Sequence, residues 1–570
     1  MWRSTLRNQF LRQCFVNNIN RKFLKSSVAA ISQVQKIETE QVVKSGSTSP
    51  EPIQTSPYLS VVPKKTLNEQ FLSFDDIPGP KSLRMISKFW GMIPVMGTEL
   101  TVSIIQYFLS GGKFFGGVLS WGGNASFFKK FFDIYGPVVR LHGAFGSDVV
   151  LLKKPEDACA IFESEGKYPI RSCLDSIEKY RVECRKYTQP GPFLTHGSEW
   201  EKVRKSLEQP LQTTVAEQHG KIRKICESFV ERITILRNKQ EEMPPDFKVE
   251  ICKWSLECLS AACLNKDLGF LNPHCLSPTS DSSKLLDGLL GATEAIRRCE
   301  YGFHLWKFVE TPAWKVLVKN CDKIDTVLSK HVEEAITSLK YKQDKGGSLE
   351  KVSFLESLFL HDGIIKEDVM TILLDMYLIG ANATAHTAAF LLYHLSRNPR
   401  CQIKIHEEVR KYPENIGRDD LKKMKYLQAC IKESLRLDPP IPILSRVLSN
   451  DITIHHYRIP KGTHILFASH LNKMGNEYFE DSSWFKPERW FSDEHGGFGN
   501  EYQAFASMPF GYGPRACLAK DLAETEIGML IFKVCRQFKI EYNYGDIKSS
   551  NELLASPTKS LKFRFVKRVL

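Results

Sequence analysis

The residues whose types and spacing most clearly indicate chemistry form a glycine-rich loop near the C-terminus that ends in a cysteine, Cys517. The loop contains Phe510, Gly511 and Gly513, and Arg515 stands two residues before the sulfur. Glycines allow a backbone to pass close to a flat ligand. A helix is predicted directly after the loop, and amides at a helix start, with a nearby fixed cation, favour a thiolate over a thiol. The loop therefore predicts a metal-binding or reactive thiolate; the alternative is one structural cysteine among fifteen.

Two further charged motifs and one aromatic motif precede this loop. Glu433 and Arg436 lie three residues apart at the end of an amphipathic segment, which places them on one face of a helix. Arg489 lies in the sequence FKPERW, and Trp200 and Arg204 form a Trp-x-x-x-Arg pair on another predicted helix. Each motif alone is common on protein surfaces. Their order and spacing ahead of the cysteine loop are more specific than any one of them.

Taken in order, these motifs resemble the cytochrome P-450 family, the haem-thiolate monooxygenases, over roughly residues 74–570. The resemblance implies a mainly α fold with a minor β-sheet, one haem b, and Cys517 as the axial ligand of its iron, held in the loop with Phe510, Gly511 and Gly513. The residues that it places at the haem propionates, where a guanidinium suits a carboxylate, are Trp200, Arg204, Arg446 and Arg515. Those that it places in a buried structural charge triad are Glu433, Arg436 and Arg489.

Several local sequences resemble the mitochondrial branch of this family. They are the segments 166–171, 180–181 and 193–197 and the pairs 253–254 and 446–447. The resemblance implies an external electron source, a small acidic mitochondrial ferredoxin that an NADPH-ferredoxin reductase keeps reduced. Lys432 falls at the position of a docking lysine for that ferredoxin, but Gln428 stands where a second lysine is expected.

Other lysines lie close to the predicted docking position. Lys425, Lys422 and Lys423 are near enough in the sequence to replace the second docking lysine. Opposite charge patches steer weak electron-transfer encounters of this kind. The alternative is an ordinary solvated helix face.

The composition excludes several classes of protein. The chain has 570 residues, of which 42% are hydrophobic and 25% charged, as in ordinary globular proteins. Its net charge of +13 is concentrated near the N-terminus, so no nucleic-acid partner is predicted. No apolar run is long enough to span a bilayer. The cysteines form no Cys-x-x-Cys pair, which argues against a zinc module or a disulfide framework.

The N-terminal region reads as a targeting segment and a linker. Residues 1–37 contain seven basic residues and no acid, which is typical of a mitochondrial transit peptide; the alternative is a disordered basic tail. Residues 38–73 are polar and rich in Ser, Thr and Pro, which predicts a disordered linker before the domain at 74–570. We expect a mitochondrial protein on the matrix side of the inner membrane, with peripheral membrane association.

Helical patterns dominate the predicted domain. Apolar residues recur at three- and four-residue spacing over 198–240, 284–300, 322–342, 366–397 and 402–436, and a helix is predicted over 518–537. Short strands are predicted over 137–142, 147–152, 442–447 and 451–467, the last with a turn near 460–462.

The helix predicted over 366–397 departs from the family at the oxygen-activation motif, Ala/Gly-Gly-x-Asp/Glu-Thr-Thr/Ser. Asn382 replaces the acid and Ala383 the next hydroxyl residue; a shift of one residue recovers Thr384 but places Ala383 at the acid. Proton delivery usually needs a titratable group that feeds a hydroxyl, and in either alignment this motif has no carboxylate. Gly380 still leaves room for a ligand, and His386 is expected to pack elsewhere.

Three functions remain open. The first is a mitochondrial monooxygenase that acts on a small lipophilic substrate, with steroids or sterols ahead of xenobiotics. The second keeps the haem but rearranges peroxides or dehydrates substrates, as an isomerase or dehydratase without the proton relay. The third is a haem-binding non-enzyme. Ferredoxin-supported turnover separates the first from the second, and a substrate-induced spin shift separates both from the third.

Overall fold

The structure is a computed structural model, and the parts of the chain that it describes are residues 71–81, 83–85, 126–142, 148–171, 174–300, 304–307, 309–345, 352–468, 471, 477–491, 503–550 and 554–568. The predicted transit peptide (1–37) and nearly all of the predicted linker (38–73) lie outside these residues. Leu72 forms an isolated parallel β-bridge with Tyr457.

Helices make up most of the described chain, as the periodicity predicts. They are α1 (Ser126–Tyr135), α2 (Pro155–Ser164), α3 (Asp175–Lys179), α4 (Gly197–Leu236), α5 (Phe247–Cys263), α6 (Asp281–Glu300), α7 (Pro312–Asp344), α8 (Phe354–Leu358), α9 (Lys366–Asp375), α10 (Ala381–Arg397), α11 (Pro399–Val409), α12 (Arg418–Lys423), α13 (Lys425–Leu437), α14 (Gln503–Ala506) and α15 (Lys520–Gln537). Short 3-10 turns occupy Phe74–Asp76, Pro273–Cys275, His304–Lys307, Pro487–Trp490 and Gly513–Arg515, and π-helical turns occupy Tyr180–Cys184 and Met376–Gly380. No helix among the described residues is both long enough and apolar enough to cross a membrane.

Two of the predicted helices are interrupted. The helix over 366–397 is present, but the π turn Met376–Gly380 joins α9 to α10. Such single π turns inside helices often mark functional sites. The single segment predicted over 402–436 is wrong, because it divides into α11, α12 and α13. Pro413 and Gly417 break the helical pattern between α11 and α12, and Met424 has a non-helical backbone between α12 and α13.

The strands are short. They are β1 (Val138–Leu141), β2 (Val149–Leu152), β3 (Leu444–Val447), β4 (Ile452–Ile454), β5 (Tyr457–Ile459), β6 (His464–Phe467), β7 (Phe538–Glu541) and β8 (Arg564–Lys567). The largest described sheet has the order β1-β2-β6-β3, in which β2 and β6 are parallel and the other two pairs antiparallel. β4 and β5 form one hairpin, and β7 pairs with β8.

The predicted strands lie where the sequence placed them, but one predicted segment contains more strands than expected and one strand pair was not predicted. The segment 451–467 contains three strands, because the chain turns at His455 and His456, both with positive φ, as well as near Gly462. The β7–β8 pair has no counterpart among the predicted strands.

The largest hydrophobic core joins most of the long helices. Trp254 of α5, Phe390 of α10 and Phe532 of α15 are almost fully buried in it. Each such side chain stabilises the fold by about 1.5–3 kcal/mol relative to an exposed one. A second core lies on the four-stranded sheet and includes Val150 and Phe467. The central helix α9–α10 and helix α15 are therefore rigid walls for the space between them.

Candidate functional site

The cysteine loop has the backbone shape that its glycines predict. Gly511 and Gly513 have φ values of +73° and +68°, which only glycine adopts without strain. The amide of Cys517 donates a hydrogen bond to the carbonyl of Phe510 at 2.8 Å, and the amide of Ala516 donates to that of Gly513 at 2.9 Å. These bonds fix the cysteine shortly before α15 begins.

Cys517 lines a cavity below the protein surface, and its side chain is exposed to that space. Burial raises the pKa of the thiol, whereas a hydrogen bond from the Ala519 amide and the charges of Arg171, Arg204 and Lys520 lower it. The predicted cationic surroundings are present, but burial outweighs them, so the helix start and cations do not by themselves make a thiolate. A ligand that binds sulfur directly would supply the remaining stabilisation.

A cavity of about 310 Å³ opens at this sulfur. Parts of its wall come from the central helix over 375–387, from the segment after Arg436, and from residues between 171 and 193. The cysteine loop, the start of α15 and residues of α4 and α5 form the rest of the wall. Most of the surface is apolar, which suits a flat or lipophilic ligand with a few fixed polar contacts.

Three of the residues predicted at the propionates meet beside the loop. Arg204 donates a hydrogen bond to the carbonyl of Ala516 at 2.9 Å. Arg515 is buried, donates to the carbonyl of Pro169 at 2.9 Å, and lies 4.1 Å over the ring of Trp200. All three line the cavity. They therefore tie the cysteine loop to α4 and bring cationic groups to the cavity wall.

Arg446, the fourth of these residues, has an unexpected partner. It lines the cavity but is paired with Glu165, the residue that follows α2. Its Nη1 also donates to the carbonyl of Ser445 at 2.9 Å. Burial raises the pKa of Glu165, although Arg446 and Arg515 lower it, and its Oε2 has no hydrogen-bond partner among the described residues. A buried carboxyl group therefore stands among the predicted anion-binding cations.

The structure brings the predicted charge triad together. Glu433, which is fully buried, accepts two hydrogen bonds from Arg436, at 2.9 and 2.8 Å, and one from Arg489 at 3.0 Å. The Lys486 amide and the Trp490 indole each donate to it at 3.0 Å. Burial raises the pKa of Glu433, but its hydrogen bonds and the two arginine charges outweigh burial and lower it.

The residue that replaces the family's acid in the central helix, Asn382, also points to different partners. Asn382 does not belong to the cavity wall; its Nδ2 donates to the Thr293 hydroxyl at 2.8 Å and to the Leu378 carbonyl at 2.7 Å. The three predicted residues of this motif that do line the cavity are Gly380, Ala383 and Thr384. A Cβ added at Gly380 would meet no described atom within 4 Å, so the glycine leaves open space at the wall.

His386 packs away from the cavity, as predicted. Its Nε2 lies 3.1 Å from the carbonyl of Asp438, and its ring packs 4.7 Å from that of Phe390. Burial lowers the pKa of His386 to about 4, so the ring is neutral near pH 7. It brings no proton to the sulfur side of the helix.

The lysines predicted to dock ferredoxin are solvent-exposed on and before α13. Lys432 lies 5.9 Å over the ring of Trp490, and neither it nor Lys425 forms an ion pair among the described residues. Lys422 and Lys423 each lie 3.6 Å from a carboxylate oxygen. All four lysines are exposed, and Lys425 and Lys432 are the two without an ion pair among the described residues.

Comparison with known proteins identifies the family. The family model for Cytochrome P450 matches residues 109–565 of the chain. The chain belongs to the cytochrome P450 family. It is 29% identical over 509 residues to "Probable cytochrome P450 301a1, mitochondrial" of Drosophila melanogaster, with 87% of each chain covered. It is 30% identical over 497 residues to "Cytochrome P450 CYP12A2" of Musca domestica, covering 82% of this chain and 90% of the relative.

A third relative also carries a mitochondrial name. "Probable cytochrome P450 12a5, mitochondrial" of Drosophila melanogaster is 30% identical over 453 residues, covering 76% of this chain and 83% of the relative. These matches bear out the family and the mainly α fold that the motifs predict.

The site residues of this cytochrome P450 fit a haem. Cys517 supplies a sulfur donor at one wall of the cavity, and the guanidinium groups of Arg171, Arg204 and Arg446 line the same space. Sulfur suits an axial position on haem iron, and guanidinium groups suit carboxylates. The apolar remainder suits a porphyrin face.

Sequence reasoning missed three residues of this cytochrome P450 site. Arg171 lines the cavity, and its Nε donates a hydrogen bond to the Phe193 carbonyl at 2.9 Å. In the sequence it belongs to the branch-specific segment 166–171, with no separate signal of its own. Glu165 carries no sequence signal beyond its charge. Glu526 does carry one, because it stands four residues after Leu522 in the apolar stripe of α15.

Proposed function

We propose that this cytochrome P450 is a mitochondrial monooxygenase that hydroxylates a small lipophilic substrate of the steroid or sterol type. The observation that carries the proposal is the Cys517 sulfur at the wall of an apolar cavity that arginines also line. Cys517 would hold the iron of haem b, and Trp200, Arg204, Arg446 and Arg515 would face its propionates. The haem, when bound, supplies oxygen activation.

The chain's own residues would then orient the substrate and exclude water. Apolar side chains such as Leu211, Ile379 and Ile443 line the cavity and favour a lipophilic molecule. The space at Gly380 lets part of that molecule approach the central helix. The triad of Glu433, Arg436 and Arg489 would act at a distance, by holding the segments around the cysteine loop.

Electrons would come from a mitochondrial ferredoxin, kept reduced by an NADPH-ferredoxin reductase. Lys425 and Lys432 support this proposal, because both are exposed, form no ion pair with a described residue, and would steer an acidic ferredoxin towards them. Salt should weaken the encounter, since exposed charges are screened.

The location follows from the N-terminal composition and from the mitochondrial names of the relatives. We assign residues 1–37 as a transit peptide, 38–73 as a linker and 74–570 as the haem domain. The mature protein would work on the matrix side of the inner membrane, attached peripherally.

A second candidate function is peroxide rearrangement or dehydration on the same haem. The observation that favours it is Asn382, whose amide is engaged by Thr293 and Leu378 and cannot titrate. Such chemistry needs no ferredoxin and no proton relay.

Reconstitution separates these candidates. The haem-loaded full-length protein is mixed with a mitochondrial ferredoxin, its reductase and NADPH, and with steroids, sterols or small apolar xenobiotics. A monooxygenase gives a hydroxylated product only with ferredoxin, after a substrate-induced spin shift. Ferredoxin-independent conversion of a lipid hydroperoxide would favour the second candidate. A haem spectrum that no substrate changes would favour a non-enzyme.

A further inference from the structure

The carboxyl group of Glu165 stands beside the cysteine cavity, in contact with one of its arginines. Glu165 is the residue that follows α2, and it forms an ion pair with the Nε of Arg446 on β3. The exposed fraction of the side chain is 7% for Glu165 and 4% for Arg446, so little solvent reaches the pair. Removing two charges from water is costly, and such a pair is weak evidence for stability alone.

The contacts of Arg446 fix its guanidinium and leave one nitrogen for a ligand. Its Cζ lies 4.8 Å over the ring of Phe162, a residue of the same helix end as Glu165. Its Nη1 donates to the carbonyl of Ser445 at 2.9 Å. None of the described residues accepts a hydrogen bond from its Nη2, and Arg446 lines the cavity. Nη2 is therefore the atom that a carboxylate in the cavity would meet.

The second oxygen of Glu165 faces the cysteine loop. Its Oε2 has no hydrogen-bond partner among the described residues. A Cβ added at Gly513 would lie 3.8 Å from this oxygen, and Gly513 stands four residues before Cys517. Buried carboxyl oxygens are nearly always hydrogen-bonded, so an unpartnered one against this loop calls for an explanation.

Glu165 brings a negative charge to a group of cations. Arg204 and Arg515 donate hydrogen bonds to backbone carbonyls, which orient a guanidinium without cancelling its charge. The carboxylate of Glu165 does cancel the charge of Arg446. Burial raises the pKa of Glu165, whereas the charges of Arg446 and Arg515 lower it and so favour the carboxylate.

We propose that Glu165 sets the reduction potential of the haem, by cancelling the charge of Arg446 while holding its guanidinium in one orientation. The inference rests on the haem of the proposed function. Glu165 is a positioning residue, because it acts through Arg446 and does not touch the reacting atoms. A cation near the haem favours the added electron, and buried charges are screened little. Glu165 therefore makes the haem harder to reduce than Arg446 alone would, and it is itself neither oxidised nor reduced.

A reductive titration of the haem-loaded, full-length protein with dithionite tests this without turnover. Glu165→Gln keeps the size of the side chain and an oxygen that accepts from Arg446, but removes the charge. It should favour the reduced haem about tenfold, a rise of about 59 mV for a one-electron couple. Glu165→Asp keeps the charge and should stay closer to the wild-type potential. A Glu165→Gln variant with the wild-type potential would overturn the proposal.

The matched control is Glu163→Gln. Glu163 belongs to α2, two residues earlier, and is exposed, so water and salt screen its charge. This change should leave the potential at the wild-type value, and equal shifts in the two variants would contradict the proposal. Haem release to apomyoglobin is measured for each protein. Release from Glu165→Gln should keep the wild-type rate; a raised potential with faster release would assign the shift to a loosened haem instead.

A double variant covers the case in which Glu165→Gln does not fold or load haem. Glu165→Gln with Arg446→Gln removes both charges of the pair, so it should keep the wild-type potential. A potential lowered by about tenfold in the equilibrium, about 59 mV, would show that the charge of Arg446 was not cancelled in the wild type, and would overturn the proposal.

The outcomes separate this inference from the proposed function. If the potentials behave as described but no substrate gives a product, the monooxygenase fails and the role of Glu165 stands. If product forms and Glu165→Gln has the wild-type potential, the inference fails and the monooxygenase stands. A wild-type protein that binds no haem would refute both.

Discussion

Neutralising Glu433 should be among the most destabilising single changes in the chain. Glu433→Gln keeps the size of the side chain but removes the charge that Arg436 and Arg489 face at 2.8–3.0 Å. The exposed fraction of the side chain is 0% for Glu433 and 1% for Arg436, so solvent cannot replace the lost partner. Breaking a buried ion pair by removing one partner costs about 3–5 kcal/mol. We expect a loss of this size in the free energy of unfolding.

Urea unfolding followed by far-ultraviolet circular dichroism measures this loss. The control is Glu488→Gln, which makes the same change in a neighbouring ion pair between Glu488 and Lys404. The side chain of Glu488 is 38% exposed and that of Lys404 is 53% exposed. Exposed pairs contribute at most about 1 kcal/mol. A free energy of unfolding for Glu433→Gln that lies within about 1 kcal/mol of the wild-type value, as expected for the control, would refute this reasoning.

The same group gives a dependence on pH. Because the folded pKa of Glu433 lies below its ordinary value of 4.5, its stabilisation is present above that pH and is lost as pH falls through the folded value. The stability difference between wild type and Glu433→Gln should therefore shrink below pH 4.5. A difference that stays constant down to the acid transition contradicts the assignment.

Three other changes test the site. Lys432→Glu should slow reduction of the haem by ferredoxin about tenfold at low salt and less at high salt. The control Lys340→Glu makes the same change at an exposed position of α7 and should leave the rate unchanged. Stopped-flow absorbance measures both rates, and equal slowing by the two variants would contradict the docking surface. Gly380→Leu should leave thermal stability unchanged or slightly raised but abolish the substrate-induced spin shift; a normal spin shift would show that the space is not used. Arg515→Lys should speed the release of haem to apomyoglobin, because a lysine cannot form the several planar hydrogen bonds by which Arg515 holds the cysteine loop to backbone carbonyls. An unchanged rate of release would contradict a role of Arg515 in holding the haem.

The sequence was sufficient for features that depend on local pattern. Helix periodicity and the cysteine loop predict most elements and the family, because both are continuous in the chain. Apolar periodicity alone predicts one helical segment over 402–436, although Pro413 and Gly417 mark the break between α11 and α12. The β7–β8 pair was not readable from the sequence, since its two short strands lie far apart in the chain and pair only in the folded protein.

The site shows the same limit. The contacts of Glu433 with Arg436 and Arg489 follow from motifs, but the pairing of Arg446 with Glu165 joins residues that only folding brings together. Asn382 was noticed as a missing acid, yet its orientation away from the cavity depends on the register of α10 against α6. Glu526 stands in the apolar stripe of α15, but its place in the cavity wall depends on how α15 packs in the folded protein.

The most direct test of the central claim is the reduced, carbon-monoxide-bound absorption spectrum of the full-length protein. Thiolate ligation by Cys517 predicts the red-shifted Soret band typical of this family. Cys517→His should lose that band, while Cys184→Ser, the control at an exposed cysteine elsewhere, should keep it. A wild-type band at the position of a histidine- or thiol-ligated haem, or no bound haem, would contradict the account.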